Sequence, residues 1–372
     1  MSLAVSDSVA SPAPDTHAPR ISWVHPPGGF AGLSLLNGLL RILTLGVYHF
    51  WGKTEVRQRI WSAVRIDGEP LEYRGTGSEL FRGFLIVFFL ILLPMGLVGF
   101  ASSLFLPATG HAIYQFVFTG VLFLLSGIGI HRARRYRLSR TRWRGIRGGL
   151  SGHSRSFAWT YLWTALLVPL TLGWILPWRE VRLQKALFEE THFGDNAFTF
   201  TGVAGPLYKR FWLVWFSAFV LVIAAAVAIF AIIGVSMPGS GGRTPAMPHL
   251  GGAKIAAVVA IVLVALLIFA MIRAWYSSRM LNYFAAHTKL QGTGFILEAT
   301  APSLVWLAAS NFLIRIFSLG LLSAITEARS MRYIVDRLSC DGAIAWNQIA
   351  QNPDALLKRG EGLAEAFNVD AF

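Results

Sequence analysis

The stretch Asn37-Gly-Leu-Leu-Arg41-Ile-Leu-Thr-Leu-Gly46 returns near the other end of the chain as Asn311-Phe-Leu-Ile-Arg315-Ile-Phe-Ser-Leu-Gly320. A looser copy, Thr164-Ala-Leu-Leu-Val168-Pro-Leu-Thr-Leu-Gly173, lies between them. Each copy sits in an apolar segment (30–51, 157–178 and 304–325) and is followed by Glu-x-Arg: Glu55-Val-Arg57, Glu180-Val-Arg182 and Glu327-Ala-Arg329. A match of this quality at three places is an internal repeat rather than shared hydrophobicity.

Working outward, the segments 84–107, 112–130, 211–236 and 255–272 are almost free of charge. Each is close to the roughly 20 residues a helix needs to cross about 30 Å of hydrocarbon. Over all 372 residues 54% are hydrophobic and 14% charged, against about 25% charged in soluble domains. A soluble globular enzyme is excluded. The expected class is an all-α polytopic membrane protein with internal repeats. It has four transmembrane helices, and the three repeated segments are re-entrant or interfacial, or span to give seven.

Behind each Glu-x-Arg lies a Gly-centred stretch that reads as a small β-hairpin: 65–75, 191–202 and, more weakly, 338–346. Two further hairpins are expected at 141–149 and 288–296. The domain plan is a disordered tail (1–29), a first membrane repeat (30–156), a second (157–302), a partial third (303–350) and a C-terminal tail (351–372). The tail composition argues against a cleaved signal peptide.

Orientation follows the Lys/Arg bias of short loops. If seven segments cross, equivalent hairpins face opposite sides and the basic loop 179–210 lies outside. If four cross, all hairpins share one side, and of 33 Lys and Arg residues only Arg243 and Lys254 approach the other face. Irregular backbone at membrane depth is tolerated only where its polar groups are satisfied, which is the weakness of the four-span reading. Both readings stay open here.

The pattern Thr44-Leu-Gly-Val-Tyr48…Trp51…Arg57, followed by Asp67-Gly68…Leu71-Glu-Tyr73-Arg-Gly, resembles the YjgN-like family of multi-pass bacterial inner-membrane proteins. The Arg-rich stretch from Arg134 to Gly152 is similar too, and the resemblance covers about residues 30–350. It implies an inner-membrane location, with hairpins and C-terminus cytoplasmic by the charge bias, and carries over no catalytic residue.

No chemistry-bearing constellation emerges. The nine histidines form no His-Glu-x-x-His and no i,i+4 pair, and Cys340, the sole cysteine, has no partner for a disulfide or a metal cage. No enzyme activity, no cofactor, no metal and no nucleic-acid partner is expected; oligomeric state and protein partners stay open. The sharper feature is the pair Asn37/Arg41 and its copy Asn311/Arg315, whose i,i+4 spacing puts amide and guanidinium on one helix face. A membrane-embedded arginine is costly and normally faces an interior, a cavity or a partner. Either these groups bond carbonyls freed near Leu-Gly or the arginines snorkel to headgroups, or they form a site for an anion or lipid phosphate. The run 132–147 holds eight arginines, whose planar forks suit phosphate; Arg134, Arg135, Arg137 and Arg140 are its candidate contacts with anionic headgroups, unless the run is only a solvated, topology-setting loop. The function expected is that of a membrane scaffold or interaction protein contacting anionic lipid, or else of a transporter or channel for a small anionic solute.

Overall fold

Strands form where apolar residues alternate around a turn residue that accepts positive φ. Ile21–Trp23 (β1) pairs with Val64–Ile66 (β2), which turns through Asp67 and Gly68 into Glu69–Pro70 (β3) and, one residue on, Glu72–Tyr73 (β4). Asp67 and Gly68 have φ of 50° and 82°, the pairing that matches the twist of adjoining strands. The same turn, with Arg144-Gly145, closes Thr141–Trp143 (β5) on Ile146–Leu150 (β6). Thr191–Phe193 (β7) meets Asn196–Phe200 (β8) around Gly194. Gln291-Gly292 closes Thr288–Leu290 (β9) on Thr293–Leu297 (β10), and Leu338–Asp341 (β11) completes the set. The computed structural model describes residues 18–233 and 251–351. Most of the expected N-terminal tail, most of the loop 237–253 and nearly all of the C-terminal tail lie outside the described residues.

These strands are not separate hairpins. From β4 to β11 they form one antiparallel eight-stranded sheet in which neighbours in space are neighbours in sequence. A lone two-stranded hairpin is marginally stable and leaves two edges open; pairing each outer strand with the next hairpin removes both defects. The expected all-α class is therefore corrected: the protein is mostly helical but carries a continuous sheet. The hairpin expected at 338–346 is corrected as well. β11 has no return strand; it pairs with β10, and the chain leaves through a short 3₁₀ turn at Trp346–Gln348.

Helices connect the strands that lack a tight turn. Ala31–Leu43 (α1) and His49–Ala63 (α2) lie between β1 and β2, where Trp23 stands opposite Val64. From β4, Gly77–Val87 (α3) continues through a π-helical turn at Phe88–Leu92 into Leu93–Phe105 (α4), and Ala108–Arg140 (α5) returns to β5. Pro94 explains the π turn, since it has no N–H to donate and its ring crowds the preceding turn. Ser154–Leu170 (α6) and Leu176–Glu189 (α7) join β6 to β7. Gly205–Ile233 (α8) and Gly252–Ala286 (α9) join β8 to β9. Ala301–Phe317 (α10) and Ser323–Val335 (α11) join β10 to β11.

Among the described residues four helices are long and apolar enough to cross a membrane: Gly77–Phe105, α5, Gly205–Ile232 and α9. The pairs α1/α2, α6/α7 and α10/α11 are shorter. The 13 residues of α1 reach about 20 Å at 1.5 Å per residue. Both ends of each short pair are tied to adjacent strands, with Leu150 opposite Thr191 and Leu297 opposite Leu338. Hydrogen-bonded neighbours cannot lie on opposite sides of a hydrocarbon layer, so the seven-span alternative is corrected by the register.

The tip of each short pair answers the problem of buried irregular backbone. Leu45, Leu172 and Leu319 have φ near 50°, followed by Gly46, Gly173 and Gly320 at 93°, 82° and 80°. Each glycine N–H reaches back to a carbonyl of the first helix, at Arg41, Val168 and Arg315, over 2.7, 2.7 and 2.8 Å. The hydroxyl before each Leu-Gly closes the rest. Thr44 Oγ1 donates to Leu40 O (2.7 Å) and accepts from Tyr48 N (2.9 Å). Thr171 Oγ1 does so with Leu167 O (2.8 Å) and Ile175 N (3.4 Å), and Ser318 Oγ with Ile314 O (2.6 Å) and Leu322 N (3.2 Å). One side chain thus ends one helix and starts the next.

Removing that hydroxyl without changing volume tests its role. Thr44→Val and Thr171→Val are each expected to lower stability in detergent by about 1–3 kcal/mol, the cost of stranding backbone groups away from water. Unchanged melting in both would mean that water or lipid headgroups satisfy the tips.

Candidate anion site between the first and third helix pairs

The first and third pairs meet because small residues let their backbones approach. Ser34 Oγ donates to Leu321 O (2.8 Å) and accepts from Ala324 N (3.3 Å). One turn on, a Cβ at Gly38 would stand 2.6 Å from Leu321 Cδ2 and 3.2 Å from its Cα. Val56 and Ile60 of α2 pack with Ala324 and Ala328 of α11 behind this contact.

Within each pair the asparagine clamps helix to helix. Asn37 Nδ2 donates to Gly52 O (3.3 Å) and Asn311 Nδ2 to Thr326 O (3.3 Å), each across fifteen residues; Asn311 also reaches Ser330 Oγ (3.2 Å). In the middle pair the corresponding Thr164 is fully buried, and its hydroxyl turns back to Thr160 O (2.6 Å). Counted from the turn glycine, Glu180 and Glu327 correspond to Lys53, not to Glu55. The Glu-x-Arg match in the first copy is therefore displaced by two residues, and this puts a cation where the other copies have a carboxylate. Glu180 lies 3.6 Å from Arg273; burial raises its carboxyl above the usual carboxylate range, with Arg273 and Arg179 pulling it back.

The arginines do not bond the freed carbonyls, which the backbone and hydroxyls already satisfy. Arg41, half-buried, has no hydrogen-bond or ion-pair partner among the described residues. Arg315 spends one donor on Thr326 Oγ1 (2.9 Å). Both line a single pocket of about 310 Å³ with Asn37, His49, Lys53 and Glu327. Gly320 leaves room for Arg41 to reach the third pair, since a Cβ there would stand 3.6 Å from its Nη2. The structure thus brings together Asn37, Arg41 and Arg315. It leaves Asn311 inside its own helix pair, outside this pocket. Lys53 and His49 were not singled out from sequence, their only signal being position relative to the turn glycine, and Glu327 was noted only as part of the repeated Glu-x-Arg.

The Arg-rich run is corrected from a solvated loop. Its first half is the end of α5 and its second half is β5, a turn and β6. Arg140 Nη2 binds Glu79 Oε1 at 2.6 Å, and the Tyr136 hydroxyl binds the same carboxylate. Arg137 engages neighbouring groups, and Arg135 lies half-buried near the fully buried His131, whose Nε2 is 2.7 Å from Glu190 Oε2. Arg134 stands apart, its guanidinium 5.0 Å from the Phe188 ring centre.

These contacts separate clamp from charge. Asn37→Ala is expected to lower stability by about 1 kcal/mol, one hydrogen bond, and Asn311→Ala by about 1–2 kcal/mol, two hydrogen bonds, whereas Arg41→Leu, which breaks no bond, leaves melting unchanged or raises it. A large loss of stability in Arg41→Leu would show the arginine to be a strut.

Residues 26–366 match the family described as a bacterial protein of unknown function, DUF898. A stretch of 148 residues is 25% identical to the inner membrane protein YjgN of Salmonella typhimurium, covering 40% of this chain and 35% of that protein. The match therefore spans about a third of that relative's length. No solved structure matches the chain. With a family match over almost its entire length, the chain belongs to the DUF898 family of bacterial membrane proteins, the YjgN-like family.

Proposed function

We propose that the protein is a membrane-embedded binding protein for anionic lipid, and that the pocket between the first and third helix pairs receives the lipid phosphate. The observation that carries this reading is Arg41, half-buried and unpartnered among the described residues, converging with Arg315 and Lys53 on one pocket against a single carboxylate, Glu327. The turn residues beside it are apolar and outward-facing: Leu45 is 96% exposed and Leu319 88%. An anion bound here has acyl chains for neighbours, and paired cations at a membrane surface favour that headgroup.

Transport through the bilayer is the weaker reading. The most apolar 18-residue window of α9 has 0% of its residues buried, so its sides are left to lipid rather than packed around a path. The proposal includes a bacterial inner-membrane location with the sheet cytoplasmic. The positive-inside rule supports it, because basic residues gather at the sheet end, and the YjgN relative is named an inner membrane protein. It also includes descent of the three helix pairs from one repeated unit, supported by the turn common to all three and by the asparagine clamp of the first and third.

Native mass spectrometry of the purified chain, given phosphatidylglycerol or phosphatidylcholine, tests the reading. The double variant Arg41→Leu/Arg315→Leu is expected to lose retained phosphatidylglycerol, with each charge contributing about 1 kcal/mol, while stability falls by no more than the about 1 kcal/mol of the Arg315–Thr326 hydrogen bond. Equal retention by wild type and double variant would overturn it.

A further inference from the structure

The eight-stranded sheet curls, and its β11 end comes against the separate three-stranded sheet of β1, β2 and β3. β1 and β11 share no ladder, yet Trp346 just past β11 donates from Nε1 to Asp67 Oδ2 in the β2–β3 turn (3.1 Å). Its ring also meets Trp143 edge-on at 4.5 Å. Inside the curl lies a cavity of about 280 Å³ to which nearly every strand contributes, through side chains such as Ile66, Trp143, Phe193, Phe198, Phe295 and Cys340. Strand alternation explains part of the lining, since Thr141 and Trp143, two apart on β5, share one face.

Among the described residues no carboxylate lines this cavity, but Arg134 of α5 does. Its one hydrogen bond is long, Nη2 to Thr191 Oγ1 at 3.5 Å, and it has no ion-pair partner among the described residues. Arg137 nearby adds to the positive field. The Asp67 carboxylate beside Cys340 is already held by Trp346 and by the Arg20 N–H at 2.8 Å. A guanidinium is a fork of several donors and costs free energy when surrounded by protein without an anion. The indole N–H of Trp143, a residue only 2% exposed, likewise finds no acceptor.

We propose that this cavity binds an amphiphile, a medium-length apolar chain with one anionic head, carboxylate or phosphate, whose head pairs with Arg134. The chain takes the aromatic interior, and the head supplies the charge that the protein withholds from Arg134. The volume suits this class. At about 30 Å³ for a water-sized group, 280 Å³ holds a chain of medium length but not a two-chain phospholipid. The site is separate from the Arg41 pocket and does not depend on the headgroup reading.

Cys340 provides the test, being the one cysteine of the chain and part of the lining. Burial and Asp67 push its thiol up to about 11, so its maleimide reaction is followed at alkaline pH, with the full chain in phosphatidylcholine nanodiscs. Decanoate or decyl phosphate is expected to slow the reaction saturably, while decanol and inorganic phosphate do so only at concentrations about tenfold higher or not at all, the equivalent of one charge-assisted pair. Arg134→Gln is expected to remove the preference for decanoate over decanol, each protection being taken relative to that variant's own unliganded rate. The wild-type comparison stands alone should that variant fail to fold. Protection by decanol equal to that by decanoate, protection by phosphate alone, or no protection by either amphiphile overturns the proposal.

Discussion

A single hydroxyl at the tip of each short helix pair makes the rest of this architecture possible. A chain that enters hydrocarbon and turns back must expose peptide groups at the turn, and lipid offers them no partner. Here Thr44, Thr171 and Ser318 each donate to the helix behind and accept from the helix ahead, and the following glycine closes one more carbonyl. The leucine between them sits in left-handed backbone, at a cost of about 1–2 kcal/mol for an L-residue. Glycine would avoid that cost but leave a bare peptide facing the acyl chains. Leucine keeps the tip apolar.

With tips that turn without crossing, every excursion returns to the side it left, and the sheet follows. Two short helix pairs and two long ones join adjacent strands of the eight-stranded meander from β4 to β11, which grows by one strand at each return, while the first short pair joins β1 to β2 of the separate three-stranded sheet. The long pairs keep their apolar surface toward lipid, with 0–11% of each apolar window buried. The well-packed core therefore lies at the sheet end, where Trp143, Leu150 and Ile344 are almost fully buried. The fold is a small curled sheet with helical loops, some of them long enough to cross a bilayer.

Much of this was readable from residues. The four long helices follow from uncharged length, and four of the five expected hairpins follow from glycine between alternating apolar residues. The joining of those hairpins into one sheet was not readable, because strand pairing across helical excursions of more than forty residues leaves no local periodicity. The Arg-rich run misled for a related reason. Charge density reads as solvent, yet Glu79, far away in sequence, neutralises Arg140 at 2.6 Å. Arg41 and Arg315 hold equivalent positions in similar motifs, and both line one pocket. Lys53 was hidden by aligning on Glu-x-Arg, a two-residue slip that only the turn glycine corrects.

The middle helix pair explains why the cations are kept in only two copies. Its first helix, α6, packs along α5, where Gly127 leaves no space: a Cβ there would stand 2.7 Å from the Cα of Ala158. Thr164 is fully buried, and the position of Arg41 and Arg315 is taken by Val168. A guanidinium at that position would have no second helix pair with which to share an anion, only the cost of its own desolvation. Cations persist where two tips face each other, between the first and last pairs of the described chain. The pocket is therefore assembled from residues almost three hundred positions apart, with Ser34 joined to Leu321 by the hydrogen bond that closes the ring. An anion bound there, as proposed, would touch both helix pairs at once, and its binding free energy would add to their association.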